Sequence, residues 1–350
     1  MSEHLLEVRE LQVSFDTVVG EIKAVRGVSF HLDRGETLCI VGESGCGKSV
    51  TVQTLMRLND EPPAAIRGGE IRYQGQDLTG KSQEEMRAYR GKEFAMIFQD
   101  AMTALNPTTK IGRQMQEAVR VHRSISRQEA KELILGMLEK VGLPDPAGIY
   151  ERFPHTLSGG QRQRVMIAMA LCCQPSILLA DEPTTALDVT IQAQILELMN
   201  QLKRELNMGI IFITHNMGVV AKMADRIAVM YAGQVIESGS AEDVFYRPKH
   251  PYTWGLIGSM PSLQGEIPER LFSIPGTPPD LFAPPEGCGF AARCQYCMGV
   301  CTGHMPPEFE VSPGHRVRCW LLDERCGRQI TPPCGKEDTL VPSRRCDDAN

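Results

Sequence analysis

Residues 37–51 read TLCIVGESGCGKSVT, and the rest of the chain is interpreted around them. A short apolar run breaks into a glycine-rich loop and then into residues suited to a helix, and residues 42–49 fit the pattern GxxxxGKS. Each residue type has a physical reason. Glycines let consecutive backbone N–H groups turn inward around a phosphate, and a helix starting near Lys48 aims the positive end of its dipole at the same place. In this pattern Lys48 sits against the β- and γ-phosphates and the Ser49 hydroxyl ligates Mg2+. Gly42, Glu43, Ser44, Gly45, Cys46, Gly47, Lys48, Ser49 and, inside the helix, Thr51 are therefore candidate nucleotide-binding residues. The competing reading is a glycine-rich turn that binds nothing. The full octet between a strand and a helix argues against it.

Upstream, LLEVRELQVSF and AVRGVSFHL alternate apolar and polar residues, so residues 5–41 read as β-rich. Phe15 either packs a strand face or offers an aromatic platform to a nucleotide base. Downstream, a polar stretch precedes residues 93–98 (EFAMIF), a short buried strand that ends in Gln99. That glutamine is an ordinary solvated amide or, beside a phosphate site, a Mg2+ ligand that also orients water. Residues 111–156 change character to helix. Ser126 and Glu129 are spaced as a capping box ahead of Ala130, Leu133, Ile134, Met137, Leu138 and Val141, which share one helical face. The segment reads as a helical insertion in an α/β frame.

LSGGQ (157–161) then precedes another helical stretch. Ser158 is a good N-cap, and Gly159 and Gly160 permit close approach to a helix N-terminus; Gln161 completes the motif. This is either a capped helix or a second anion-binding helix end. Residues 176–180 (SILLA) form a continuous apolar run, as a parallel strand buried on both faces does, and end in Asp181 and Glu182. A carboxylate at the carboxyl end of such a strand is where a Mg2+ partner belongs in a P-loop enzyme, which gives that role to Asp181. Glu182, one residue further out, is able to polarise an attacking water. Adjacent acids in a solvated turn are the plainer alternative. A helix over 190–206, with Ile191, Ile195, Leu198 and Leu202 at helical spacing, leads to the strand GIIFIT and His215. That histidine is structural or, at the same end of a parallel sheet, touches a γ-phosphate. Strands IAVMY and GQVIES close the domain near residue 240.

With 350 residues there is room for one large or two ordinary domains. The formal net charge is −6 with a pI near 5.8 and there is no long basic run, so nucleic acid is not expected as a partner. No apolar stretch approaches the ~20 residues of a membrane span, and MSEHLLEVRE lacks the layout of a signal peptide. A cytosolic location, or one on a membrane protein from its cytosolic side, is expected. Of 12 cysteines, eight fall from Cys288 onward; in a reducing compartment such clustering favours a metal or cluster site over disulfides.

Taken in order, GESGCGKS, Gln99, LSGGQ, ILLADE, the turn Ala186, Leu187, Asp188 and His215 resemble the ATP-binding cassette of ABC transporters, over residues 5 to about 325. The resemblance implies an α/β fold: a P-loop ABC-type ATPase cassette with a β-rich N-terminal subdomain, a helical insertion and a Cys-rich C-terminal extension. It divides the chain into an ATP-binding domain over 1–260 with the insertion at about 100–170, a C-terminal region of oligopeptide-importer type with a cysteine cluster over 261–325, and a disordered tail over 326–350. It makes Phe15 the adenine platform, residues 42–49 the Walker A loop and Asp181 the Walker B magnesium partner. Glu182 becomes the catalytic base, Gln99 the link to magnesium and to the membrane subunit, and His215 the γ-phosphate sensor. In this family two cassettes pair head to tail, so Ser158, Gly159, Gly160 and Gln161 of one chain close over the ATP of the other. Closure and reopening would drive the membrane subunits, and a single cassette would hydrolyse slowly.

FQDAMTALNP (98–107), KHPYT (249–253), IPGTPPDL (274–281) and the cysteine-bearing tail are similar to ATP-binding subunits of oligopeptide, dipeptide and nickel importers, although Ala101 and Ala104 stand where the family more often has proline and serine. The implied function is ATP hydrolysis that energises uptake of di- and oligopeptides across the cytoplasmic membrane. The alternative is the same role in a nickel importer. A soluble, non-transport ABC ATPase fits less well, because there is neither a coiled-coil insertion nor a second cassette. The implied partners are two membrane-spanning permease subunits, a second cassette (self or related) and, indirectly, a substrate-binding protein, with the chain peripheral on the cytoplasmic face. ATP and Mg2+ are the implied ligands. Residues 261–287 read as an extended proline-rich connector. Cys288, Cys294, Cys301 and Cys319 match cysteines that hold a [4Fe–4S] cluster in some members. Cys297 adds a CxxC with Cys294 and opens a zinc alternative. A cluster that gates the ATPase is a further possibility, and Cys326, Cys334 and Cys346 receive no role.

Overall fold

A computed structural model describes residues 4–99, 104–184, 188–260 and 274–326. Ala101, Ala186, Leu187, Cys334, Cys346 and the first part of the proline-rich connector, 261–273, lie outside the described residues. The strands, in chain order, are β1 (Leu6–Thr17), β2 (Gly20–Leu32), β3 (Thr37–Val41), β4 (Ala64–Tyr73), β5 (Gln76–Asp77), β6 (Phe94–Ile97), β7 (Ile177–Asp181), β8 (Gly209–Thr214), β9 (Arg226–Tyr231), β10 (Gln234–Ser240), β11 (Phe309–Ser312) and β12 (His315–Val317). The helices that matter below are α1 (Lys48–Leu55), α2 (Gln83–Met86), α3 (Ile111–His122), α4 (Arg127–Lys140), α5 (Pro146–Glu151), α6 (Gly159–Leu171), α7 (Val189–Leu206), α8 (Met217–Met223), α9 (Ala241–Tyr246) and α10 (Pro251–Gly258).

The chain falls into two compact units. One takes Leu32–Thr37 and Tyr73–Ile213 with the first residues of the chain; the other takes Glu7–His31, Leu38–Arg72 and the chain from Thr214 onward. In the first unit β6, β7 and β8 pair in parallel, with Phe94 opposite Ile177 and Ile177 opposite Gly209. All five residues of β7 and all six of β8 are buried, which explains why both read as unbroken apolar runs rather than alternating ones. The helical insertion of this unit is α3, α4 and α5. At the start of α4 the Ser126 hydroxyl accepts from the Glu129 amide at 3.2 Å and the Glu129 carboxylate accepts from the Ser126 amide at 2.8 Å, which is the capping box expected from their spacing. Ala130, Ile134, Met137, Leu138 and Val141 are buried behind it, while Leu133 is half-buried.

In the second unit β3 lies parallel to β9, β9 is antiparallel to β10, and β10 is antiparallel to β12. Residues far down the chain thereby extend the strand order that begins with the phosphate-loop strand. β1 and β2 form a separate layer with β4. The polar stretch behind α1 thus contains a strand, β4, that the sequence reading did not single out. Its residues, AAIRGGEIRY, carry two adjacent glycines and little alternation, so β propensity is low and pairing with β1 decides the outcome.

Candidate functional site

β3 is buried throughout and delivers the chain into the loop at Gly42. Gly47 closes the loop as the N-terminal cap of α1, at φ 96°, and a Cβ there would collide with the carbonyl oxygen of Ala24. Only glycine satisfies both conditions. Lys48, 6% exposed, folds back so that its ammonium donates to the carbonyl oxygens of Gly42 and Glu43 at 2.8 Å each, with the Cys46 sulfur 3.7 Å away. Thr51 is buried and its hydroxyl donates to the Gly47 carbonyl at 2.9 Å, tying the first turn of α1 to the loop. Ser44 and Gly45 are exposed at the loop's apex and Ser49 is half-buried. Cys46 is buried, and burial pushes its thiol pKa up, so it packs as a small apolar residue rather than a nucleophile. Phe15 is half-buried on β1, and His215, which follows β8, is exposed.

Two further groups grip this loop. The backbone N–H of Glu43 donates to the hydroxyl of Tyr252 at 2.8 Å, and the Glu43 carboxylate is held by Arg293 through two bonds, at 2.5 and 2.9 Å. Sequence reasoning quoted KHPYT without giving Tyr252 a task, and it passed over Arg293. The motif itself now has a local explanation. His250 is the N-cap of α10, its Nδ1 accepting from the Tyr252 amide at 3.0 Å, and Pro251 takes the first helical position, where no N–H is required. The preceding turn is held by the fully buried carboxylate of Glu237, which accepts from the Lys249 and His250 amides at 2.7 and 3.0 Å and lies 2.9 Å from His315 Nε2.

The same turn borders a small apolar cavity of about 10 Å3 lined by Cys288, Cys294, Cys301 and Cys319 together with His250. The four cysteines, separated by up to 31 positions, thus line one cavity, which spacing alone did not establish. Cys297 is not on the cavity wall. All four are free thiols. Burial raises the pKa of Cys288, and pushes those of Cys294 and Cys319 up to about 12. Among the described residues, no trio of these sulfurs has all its members within 4.8 Å of one another. His250 is 1% exposed and its Nε2 has no hydrogen-bond partner. Because Nδ1 accepts a backbone N–H, the neutral ring carries its proton on Nε2. The wall of the cavity therefore contains a buried donor with nothing to donate to.

In the first unit, Gln99 and Glu182 leave neighbouring parallel strands at their carboxyl ends. The Gln99 amide donates to the Glu182 carboxylate at 3.0 Å, and the Glu182 backbone N–H donates to the Ile213 carbonyl at 3.0 Å. Glu182 has φ 45°, a left-handed conformation that a non-glycine residue seldom adopts. Asp181, the last residue of β7, is 4% exposed. Elsewhere in this unit Ser158 caps α6 by a second capping box, its hydroxyl accepting from the Gln161 amide at 3.3 Å while the Gln161 side chain accepts from the Ser158 amide at 3.0 Å. Ser158 and Gly159 are exposed. A Cβ on Gly160 would press on the Ile191 side chain of α7, so any larger residue there must displace that side chain.

The family described as ABC transporter matches residues 25–185, and that described as oligopeptide/dipeptide transporter, C-terminal region, matches residues 236–301. The chain is 56% identical, over 94% of its length and 92% of the relative's, to the oligopeptide transport ATP-binding protein OppD of Bacillus subtilis. It is 54% identical, over 94% of its length and 98% of the relative's, to the dipeptide transport ATP-binding protein DppD of the same organism. Among solved structures, the dimeric bacterial ABC transporter cassette MJ0796 matches 67% of this chain and 98% of that one with a TM-score of 0.60 at 26% identity. CbiO1 of Clostridium perfringens, part of the transporter complex CbiONQ, matches 70% of this chain and 92% of that one with a TM-score of 0.60 at 26% identity.

Proposed function

Because this chain belongs to the ATP-binding proteins of ABC transporters, we infer that it is the ATP-hydrolysing subunit of an importer that brings di- and oligopeptides across the cytoplasmic membrane. The observation that carries the cargo is the match to peptide-transport relatives along 94% of the chain, cassette and C-terminal region together. The nickel alternative has no such support among the relatives named above and is set aside. The test is uptake in cells lacking this chain, comparing a labelled short peptide with radioactive nickel and restoring the gene as control. Loss of peptide uptake alone is expected; loss of nickel uptake alone would overturn the cargo.

The roles of individual residues follow from the motifs, with local geometry in support. Gly42, Glu43, Ser44, Gly45, Cys46, Gly47 and Thr51 shape the phosphate loop, Lys48 moves from the loop carbonyls to the β- and γ-phosphates, and Ser49, Asp181 and Gln99 serve Mg2+. Glu182 is the general base, and the Gln99 amide on its carboxylate fixes the side chain that must polarise water. His215 senses the γ-phosphate and Phe15 stacks on the base. Ser158, Gly159, Gly160 and Gln161 present the N-terminus of α6 to the ATP of a second cassette, identical or related. Two permease subunits complete the assembly, with a substrate-binding protein acting on them, and the chain works at the cytoplasmic face. The ATP-binding domain spans 1–260 with its helical insertion at about 100–170, followed by the importer-type C-terminal region over 261–325 and a tail over 326–350.

Cys288, Cys294, Cys301 and Cys319 are assigned to a [4Fe–4S] cluster, which supplies one-electron chemistry when bound. Four thiols on one cavity are the required donor set. The unpartnered Nε2–H of His250 suits a cavity that receives an anionic, sulfur-rich group. The cavity is smaller than such a group, so the four side chains must part to admit it.

A further inference from the structure

Arg293 is more completely engaged than its place one residue before Cys294 requires. Its Nε donates to the Pro275 carbonyl at 2.8 Å, one terminal nitrogen to Glu43 at 2.5 Å and Tyr231 Oη at 3.1 Å, and the other to Glu43 at 2.9 Å and the Ile274 carbonyl at 3.3 Å. All five N–H donors of the guanidinium are used. The side chain is 6% exposed and passes the rings of Tyr231 and Phe290, its Cζ 5.8 and 5.9 Å from their centres. The bonds to the Glu43 carboxylate hold the guanidinium above its ordinary pKa. Lysine could reproduce neither the fork nor the five bonds.

The partner, Glu43, is the second residue of the phosphate loop, 250 positions away in sequence. Its amide is already committed to Tyr252, so side chain and backbone are both fixed by residues from beyond the cassette motifs. We propose that Arg293 is a positioning residue for ATP binding: through Glu43 it clamps the entry of the phosphate loop and makes the cysteine-bearing segment part of the nucleotide site's support. A loop with three glycines in eight residues loses much conformational freedom when it orders around a phosphate. Fixing its entry in advance removes part of that loss and tightens binding. The coupling is reciprocal, so ATP also steadies the segment that carries Arg293 and Cys294.

The proposal rests on residues 42–49 being the ATP-binding loop, and Lys48→Ala tests that separately. Arg293→Met leaves a carboxylate next to the phosphates and Glu43→Gln leaves a guanidinium there, so each single variant mixes positioning with charge. The double variant, Arg293→Met with Glu43→Gln, removes the clamp and both charges. MgATP affinity is measured by titration of the full-length chain assembled with its permease partners, with KM and kcat measured in parallel. Thermal unfolding reports the folded fraction, and the apparent affinity of each variant is corrected for it. The double variant is expected to bind MgATP about tenfold more weakly, with the change in KM rather than kcat, and Arg293→Lys to recover only part of the loss of Arg293→Met. Hydrogen exchange supplies the second readout: ATP slows exchange in residues 288–301 of the wild type and fails to do so in the double variant. Wild-type affinity in the double variant, or unchanged ATP protection of residues 288–301, overturns the proposal. If Lys48→Ala also binds ATP normally, it is the loop assignment that has failed.

Discussion

At the scale of single residues, the proposed roles of Lys48 and Glu182 rest on different local geometry. Lys48 is held by two carbonyl oxygens, so under the proposed role its ammonium stands ready at the loop to exchange neutral acceptors for the charged oxygens of a phosphate. Lys48→Ala is expected to weaken ATP binding by at least tenfold, read by nucleotide titration, because charge-assisted bonds of about 1.5–3 kcal/mol are lost. An unchanged affinity would contradict the loop assignment. Glu182 is fixed by the Gln99 amide and by its own left-handed backbone, and an isosteric amide can keep that geometry while losing the ability to take a proton. Glu182→Gln is therefore expected to bind ATP normally, to lower turnover by roughly 10²–10⁴-fold, and to trap paired cassettes with ATP between them. Single-turnover hydrolysis with light scattering measures both, and near-normal turnover would remove Glu182 from the base's role.

Among secondary-structure elements, the strongest local signals are end signals. Ser126 with Glu129 and Ser158 with Gln161 each satisfy amides that a helix start leaves free; the first was read from the sequence as a capping box, whereas for the second only the Ser158 cap was read. Ser126→Ala should lower stability by about 1 kcal/mol and the melting temperature by about 2 °C. The Ser126 amide also holds Glu129 below its ordinary value of 4.5. A carboxylate with a lowered pKa stabilises the fold above its unfolded value and stops doing so as pH falls through the folded one. The deficit of Glu129→Ala relative to the wild type should accordingly narrow below about pH 4.5 in denaturation curves taken from pH 7 to 3. A deficit independent of pH would mean that the Glu129 half of the box contributes nothing. β7 and β8 were equally legible, since burial on both faces writes itself as an apolar run. β4 was not, because its glycines and charges fit a strand only through pairing with β1.

For the whole molecule, the open question is what the cysteine cavity holds. Anaerobic purification of the full-length chain followed by iron and acid-labile sulfide analysis is expected to give both elements, and Cys294→Ser to lose them. Their absence from the wild type, or zinc in their place, would reject the cluster. The sequence by itself determined the family, the order of its motifs and the pair of acids at the end of β7, because each of these depends on residues a few positions apart whose spacing is dictated by a turn, a helix start or a strand end. Only the tertiary structure brought the four late cysteines to one cavity wall, left Cys297 off it, and put the unsatisfied donor of His250 on the same wall. It alone joined Arg293 to Glu43 across 250 positions. Such contacts leave no periodicity in the chain: an arginine before a cysteine looks like any other until antiparallel pairing of β10 with β12 and the packing of Phe290 on Tyr231 and Tyr252 fix where the late segment runs.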